Sequence, residues 1–220
     1  MRVAITRPRS LLTDGWLAIP VTSRTPIESG LHALAEVLSS AEDGTWLAVT
    51  SPHTFPVLRA AGITIPASVR IACVGDATAQ FSPRTPDFIG PPPASARSFV
   101  DAVPTGRGRV VFPSSNQASQ VLELGLREKG YSVDRFDVYS TEADPGGVKR
   151  LASANAAVII VTASSAALAI ADHWPGLTDL PPLIALGEPT AHTLQSAGIP
   201  AAQVSTTPDR AGLESCLERI

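Results

Sequence analysis

Small polar residues follow apolar runs at matching places in the two halves of this chain. Gly75 stands three residues before Thr78, and Gly187 stands three residues before Thr190. Where a strand meets a helix, the first backbone N–H groups are unpaired and the helix dipole favours anions. Capping of a single helix is the more frequent use of such residues. Because the arrangement occurs twice, the sequence also predicts anion binding at the carboxyl ends of two sheets.

Four more residues belong to this predicted binding edge. Ser51 and Ser164 precede helical patterns and are expected to be N-caps, with Pro52 at the first helical position after Ser51. Ser114 is expected to open a further helix. Arg7 follows the first apolar run, where its guanidinium either binds a carboxylate or faces water.

Two carboxylates restrict what the edge can bind. Asp76 and Glu188 fall in the first turns of the two helices, which suits the helix dipole but repels an anion. We therefore expect both side chains to point away from the ligand. The chain has neither a glycine-rich loop ending in Gly-Lys-Ser/Thr nor a spaced glycine fingerprint, which argues against nucleotide chemistry.

Tyr139 is one of only two tyrosines and is the candidate for acid catalysis. Its phenol could donate a proton to a leaving group. A tyrosine that is buried and hydrogen-bonded for structural reasons is the commoner case, and the residues alone leave both interpretations open. Two unclustered cysteines and four scattered histidines predict no metal site.

The composition sets further bounds on function. The 220 residues carry a net charge of −3, which is not the basic footprint of a nucleic-acid-binding protein. The uncharged stretch 151–171 contains five polar residues, so we interpret it as a buried strand and a helix rather than a membrane span. We expect a cytoplasmic protein that binds neither nucleic acid nor membrane.

The apolar runs alternate with helical patterns along the whole chain. The runs are continuous rather than alternating, as is typical of strands covered on both faces of a parallel sheet. They fall at Arg2–Thr6, Leu47–Thr50, Ile71–Val74, Arg109–Phe112, Val158–Thr162 and Leu183–Leu186. This alternation predicts α/β architecture with parallel sheets.

The chain also repeats itself. Val49-Thr50-Ser51 recurs 112 positions later as Val161-Thr162-Ala163, and the segment that begins at Val74 recurs at the same offset from Leu186. Two motifs that share one offset indicate two copies of one α/β unit.

The order of strands and helices predicts an insertion rather than a tandem pair. Residues 1–21 and 142–220 would form a discontinuous first domain, and residues 27–137 an inserted second domain. Residues 22–26 and 138–141 would cross between them as a two-stranded linker that acts as a hinge. Both domains are predicted to be flavodoxin-like.

One helix of the first copy is short. Only eleven residues separate Pro8 from Pro20, where the second copy has room for a full helix. Leu11, Leu12 and Trp16 can form one or two turns at most, which predicts a thinly covered face of the first sheet.

The motifs together resemble the uroporphyrinogen-III synthase family over nearly the whole chain. They are Thr6-Arg7-Pro8, Thr50-Ser51-Pro52, Val74-Gly75-x-x-Thr78-Ala79, Val138-Tyr139-x-Thr141 and Leu186-Gly187-x-Pro189-Thr190-Ala191. The resemblance implies a cofactor-independent hydro-lyase of porphyrin and heme biosynthesis. Such an enzyme cyclises the linear tetrapyrrole hydroxymethylbilane, with loss of water and inversion of the terminal ring through a spiro intermediate.

The resemblance also assigns roles to residues. It implies that Tyr139 is the catalytic acid and that Ser51, Thr78, Ser164 and Thr190 bind the eight substrate carboxylates with nearby backbone amides. Arg7, Gly75, Ser114 and Gly187 complete the predicted binding set. We expect a monomer without cofactor or metal. The alternative is a non-catalytic two-domain ligand-binding or regulatory module of the same fold.

Overall fold

The apolar runs form buried parallel strands in two separate sheets. A computed structural model describes residues 1–220, apart from the side chain of Leu11. The chain divides into unit 1, Met1–Ser23 with Thr141–Ile220, and unit 2, Arg24–Ser140.

The strands fall in chain order as β1 (Val3–Ile5), β2 (Leu17–Ala18), β3 (Thr22–Pro26), β4 (Trp46–Val49), β5 (Arg70–Cys73), β6 (Phe88–Ile89), β7 (Arg109–Ser115), β8 (Ser132–Ala143), β9 (Val158–Val161), β10 (Leu183–Ala185) and β11 (Gln203–Val204). The helices are α1 (Glu28–Ser39), α2 (Thr54–Ala60), α3 (Asp76–Ala79), α4 (Ala96–Ala102), α5 (Val121–Glu128), α6 (Pro145–Ala152), α7 (Ser164–His173), α8 (Glu188–Ser196) and α9 (Arg210–Leu217). Two 3-10 turns lie at Leu11–Thr13 and Leu177–Asp179.

The two sheets share one strand order. In unit 1 the order is β11-β10-β9-β1-β2, and every neighbouring pair is parallel. Numbered along unit 1, this is the 2-1-3-4-5 order of flavodoxin-like sheets. The unit 2 sheet, β3-β8-β7-β4-β5-β6, repeats this order with β7 and β8 in the places of β1 and β2, and adds β3 as a sixth strand beside β8. The predicted parallel α/β class is therefore confirmed.

Helices cover both faces of each sheet because the strands are apolar on both sides. In unit 1, α6, α7 and α8 pack on one face, and α9 packs with the first 3-10 turn on the other. In unit 2, α1 and α2 cover one face, and α4 and α5 cover the other. The predicted apolar stripe of α1 is buried through Leu31, Leu34 and Leu38. Burial of each such leucine contributes about 1.5–3 kcal/mol.

Three predicted helix starts are wrong. Ser51 is not an N-cap, because a turn closed by the Thr54 N–H and the Ser51 carbonyl (3.1 Å) precedes α2. Ser164 is already the first residue of α7, since the Ala163 carbonyl accepts the first helical hydrogen bonds. Ser114 opens no helix, because β7 stays paired with β8 as far as Ser115.

The short first helix is confirmed. Between β1 and β2 the chain forms only the 3-10 turn Leu11–Thr13, whereas α5 occupies the corresponding place between β7 and β8. Leu12 and Trp16 are half-buried against the core formed by β1, β9, β10 and α9. Within the described residues, no helix is both long and apolar enough to cross a bilayer, and stretch 151–171 contains β9 and most of α7 as predicted.

We predict that Cys73 resists alkylation in the native protein. It is fully buried in β5, and burial raises the pKa of its thiol to about 12. An exposed thiol has a pKa near 8.5, so the thiolate fraction of Cys73 at pH 8 is lower by about a thousandfold. Iodoacetamide labelling read by peptide mass spectrometry should show that difference between native and guanidinium-unfolded protein. Rapid native labelling of Cys73 would contradict it.

Candidate functional site

The strand order of unit 1 reverses between β1 and β9, which is where doubly wound sheets bind ligands. Two threonines join the carboxyl ends of these strands. The Thr162 N–H donates to Oγ1 of Thr6 (3.1 Å), and the Thr162 hydroxyl donates to the Thr6 carbonyl (3.3 Å). Sequence reasoning did not single out this pair, although each threonine ends a predicted apolar run. These hydrogen bonds hold the carboxyl ends of β1 and β9 together at a candidate binding edge.

Arg7 directly follows Thr6 in the chain. Its side chain is half-buried, and its guanidinium has no hydrogen bond or ion pair with any residue that the structure describes. Burial lowers the pKa of Arg7 from its usual value, but a guanidinium remains a cation at neutral pH. Burying a cation without a partner costs free energy. Binding of an anion beside Arg7 is therefore favourable, because it offsets that cost.

Two helix N-termini adjoin at the same edge. The Ser164 hydroxyl at the start of α7 donates to the Pro189 carbonyl in the first turn of α8 (3.2 Å). The first two N–H groups of α7 have no intrahelical partner. In α8 only the Glu188 N–H is unpaired, because Pro189 has no N–H and the Thr190 N–H donates to the Gly187 carbonyl (3.1 Å). Both helix dipoles are positive at these ends. Thr190 is buried, and its hydroxyl makes no hydrogen bond within the described part of the chain. Glu188 is exposed.

The two matching glycines have different surroundings. A Cβ on Gly75 would lie 2.5 Å from the Cβ of Ala94, so close packing requires this glycine. A Cβ on Gly187 would meet only the ring of Pro189, at 3.9 Å. Both backbones are extended, with φ of −179° and −178°, which any residue adopts. Only Gly187 therefore leaves open space above its backbone.

In unit 2 the strand order reverses between β7 and β4, and the predicted residues there differ in availability. Ser114 is buried, and its hydroxyl is held by the Ser115 carbonyl (3.2 Å) and by Oδ1 of Asp137 (3.5 Å). The same carboxylate binds Nε of Arg135 (3.0 Å). Ser114 thus serves the fold, and sequence alone could not show this because its partner lies on another strand.

Ser51 and Thr78 lie at the same carboxyl edge of unit 2. The Ser51 hydroxyl accepts the backbone N–H of His53 (3.3 Å), and its side chain is partly exposed. Thr78 is buried in the first turn of α3, and its hydroxyl forms no hydrogen bond with any described residue. Thr78 and Thr190 are therefore alike in both position and environment.

Tyr139 lies in β8 where the pairing with β7 ends, opposite Ser115 and just past an irregularity in that pairing. Only 4% of the residue is exposed, and its ring packs in the core beneath α1 and α2. A buried phenol normally has a hydrogen-bond partner. The Tyr139 hydroxyl has none among the described residues, so none of them binds its proton.

The structure thus places four predicted residues at the carboxyl edge of each unit. Arg7, Ser164, Gly187 and Thr190 lie at the edge of unit 1. Ser51, Gly75, Thr78 and Tyr139 lie at the edge of unit 2, whereas Ser114 is turned inward. Across the described residues, no three His, Cys, Asp or Glu side chains are grouped as metal ligands. The side chains that are free to bind are a cation, hydroxyls and a phenol.

Fold and site together define a protein with two flavodoxin-like α/β units and unpaired polar groups at the carboxyl edges of its sheets. The family model for uroporphyrinogen-III synthase HemD matches residues 16–214. The chain therefore belongs to the uroporphyrinogen-III synthase family, and the resemblance seen in the motifs is confirmed.

Individual relatives agree with this assignment. The chloroplastic uroporphyrinogen-III synthase of Oryza sativa subsp. japonica is 26% identical over 80% of this chain, and the chain spans about 63% of that protein. The solved synthetase structure of Helicobacter pylori 26695 superposes with a TM-score of 0.65 at 15% identity and covers 100% of both chains. A mutant synthase of Thermus thermophilus gives 0.62 at 20% identity, covering 99% of this chain and 97% of that one. At these identities the structures support the fold.

Proposed function

We propose that this protein is a uroporphyrinogen-III synthase, a hydro-lyase that cyclises hydroxymethylbilane and inverts its terminal pyrrole ring. Membership of the family supports the proposal. The observation that carries it is a set of unpaired groups at the carboxyl edges: the Arg7 guanidinium, the Thr78 and Thr190 hydroxyls and the Tyr139 phenol. Hydroxymethylbilane has eight carboxylates and a hydroxyl that must leave, and these groups match both needs.

Substrate binding in this proposal relies on few cations. Arg7 pairs with one carboxylate, and the free N–H groups at the start of α7, with the Glu188 N–H of α8, bind others at the positive ends of the helix dipoles. The hydroxyls of Thr78 and Thr190 donate to carboxylates as well. Each hydrogen bond to a charged group contributes about 1.5–3 kcal/mol. Several such bonds hold the flexible tetrapyrrole in one conformation.

The proposed chemistry begins with departure of the terminal hydroxyl. Tyr139 donates its proton to that oxygen, the carbon–oxygen bond breaks, and water leaves an electrophilic azafulvene. The substituted carbon of the final pyrrole ring attacks the azafulvene and forms the spiro intermediate. Cleavage and re-closure then invert that ring, and the proton released on aromatisation returns to the phenolate. These reaction steps involve no net oxidation, so they need no redox cofactor.

We predict opposite results for alanine at the two matching glycines. Gly187→Ala should leave the melting temperature near that of wild type and raise KM several-fold, because the methyl group occupies the ligand's space. Gly75→Ala should destabilise the protein by about 1–3 kcal/mol through its overlap with Ala94. Thermal unfolding and steady-state kinetics of both variants test this. A stable Gly187→Ala variant with unchanged KM would remove Gly187 from the site.

The decisive experiment supplies hydroxymethylbilane, oxidises the products and separates type I from type III uroporphyrin. Type III in excess over the spontaneous type I background of a protein-free control supports the synthase. Type I alone, from folded protein, would refute it and favour the non-catalytic ligand-binding module. The predictions of a cytoplasmic monomer that binds no nucleic acid stay predictions, as do the linker boundaries 22–26 and 138–141.

A further inference from the structure

Unit 1 lacks the helix that completes its counterpart. In unit 2, α5 packs so closely on α4 that a Cβ on Gly125 would lie 2.6 Å from Val100. In unit 1, α9 takes the place of α4, but only the 3-10 turn and the residues after it lie where α5 would be. We name residues 10–16 the short segment.

One side chain of α9 binds the short segment at three points. The Arg210 guanidinium lies over the Trp16 ring, 3.9 Å from its centroid. Its Nη1 donates to the carbonyl oxygens of Leu12 (3.4 Å) and Asp14 (2.5 Å). Its Nε donates to Glu214 one turn further along α9 (2.7 Å), which holds the guanidinium in this orientation. A planar fork that both stacks and donates is specific to arginine.

Hydrogen bonds also close the start of the short segment, which lies close to Arg7 in the chain. Thr13 is buried, and its hydroxyl donates to the Ser10 carbonyl (2.8 Å) and accepts the Ser10 N–H (2.9 Å). The contacts of Arg210 therefore reach Ser10 through a closed turn. Because no described residue binds the Arg7 guanidinium, its position depends on the backbone on either side of it. On one side that backbone is β1, and on the other it is the short segment.

We propose that Arg210 is a positioning residue for Arg7: it replaces the missing helix as the support that places the Arg7 guanidinium at the binding edge. This proposal rests on the proposed function, since it takes Arg7 as a ligand of a substrate carboxylate. In this proposal Arg210 acts through the short segment and not by contact with the substrate. An ordinary exposed pair between Arg210 and Glu214 would contribute little, whereas the stacked and forked contacts order seven residues of chain.

The first test is a double-mutant cycle in the full-length protein. Arg210→Ala should raise KM for hydroxymethylbilane about five- to tenfold with kcat unchanged, and should have no further effect on KM in an Arg7→Gln background. Arg210→Lys should not restore KM, because an ammonium cannot stack and bind two carbonyls at once. Arg219→Ala, at the other end of α9, is the matched control and should leave KM unchanged. Additive effects of Arg7 and Arg210, or rescue by lysine, would overturn the proposal.

The second test does not depend on activity. Amide hydrogen exchange of Arg210→Ala, compared with wild type, should show lost protection confined to residues 10–16. Unchanged exchange there, or equal loss across β1 and β9, would overturn the positioning role. If wild-type protein forms no type III product, the proposed function fails, and the exchange experiment still decides whether Arg210 orders the short segment.

Discussion

Tyr139→Phe is expected to lower kcat about a hundredfold while KM and the melting temperature stay close to wild type. General acids typically contribute a factor of about 10²–10⁴, and the lower end applies because the terminal hydroxyl also departs spontaneously. The phenylalanine ring fills the same space in the core beneath α1 and α2. Since the Tyr139 hydroxyl has no partner among the described residues, its removal breaks no internal hydrogen bond. Stopped assays of type III product and thermal unfolding measure the two effects.

Tyr131→Phe is the matched control for this prediction. Tyr131 directly precedes β8, and its hydroxyl donates to the Pro104 carbonyl (3.2 Å), away from the carboxyl edge. Its loss should cost about 0.5–1.5 kcal/mol of stability and leave kcat unchanged. The two tyrosines should therefore differ in phenotype: one affects turnover and the other affects stability. Wild-type kcat in Tyr139→Phe would exclude the phenol from the mechanism.

The fold could be predicted largely because its signals are local and occur twice. Each predicted apolar run forms a strand, and the 112-position offset relates β4 to β9 and the start of α3 to the start of α8. The short first helix could also be predicted, since two prolines limit the chain between them. These features depend on periodicity and spacing, which neighbouring residues determine.

The wrong prediction for Ser114 lies where a neighbouring strand decides the local structure. The sequence at Ser114 is typical of a helix start. However, β7 continues there because β8 pairs with it and Asp137 binds the Ser114 hydroxyl. Gly75 and Gly187 have the same sequence context, yet only Gly75 packs against Ala94. No local pattern reveals such partners.

The contacts of Arg210 also could not be predicted from local sequence patterns. The short segment looked like a weakness in the sequence, because a single 3-10 turn covers little of a sheet. Its support comes from α9, at the far end of the chain, through Trp16 and two carbonyls. The thin cover is therefore compensated by a contact that spacing could not predict.

Arg7→Gln should raise KM for hydroxymethylbilane about 10- to 100-fold, the loss expected for one charge-assisted hydrogen bond to a carboxylate. The stability of this variant, unlike its affinity for the substrate, should not decrease. Burial lowers the pKa of Arg7 in the folded protein below its unfolded value, so at neutral pH the cation is less favourable in the fold than in the unfolded chain. Replacement by a neutral side chain should therefore leave the melting temperature unchanged or raise it slightly.

The neighbouring Arg9→Gln is the control, because Arg9 is exposed and carries the same charge two residues away. If general attraction to an octacarboxylate were the cause, both variants would raise KM equally and added salt would abolish both effects. If Arg7 binds one carboxylate directly, its variant alone loses affinity, and the loss persists at high salt. If the variant is as stable as wild type but binds the substrate more weakly, this half-buried cation is retained for binding at a cost in stability. A lower melting temperature with unchanged KM would instead assign Arg7 to the structure.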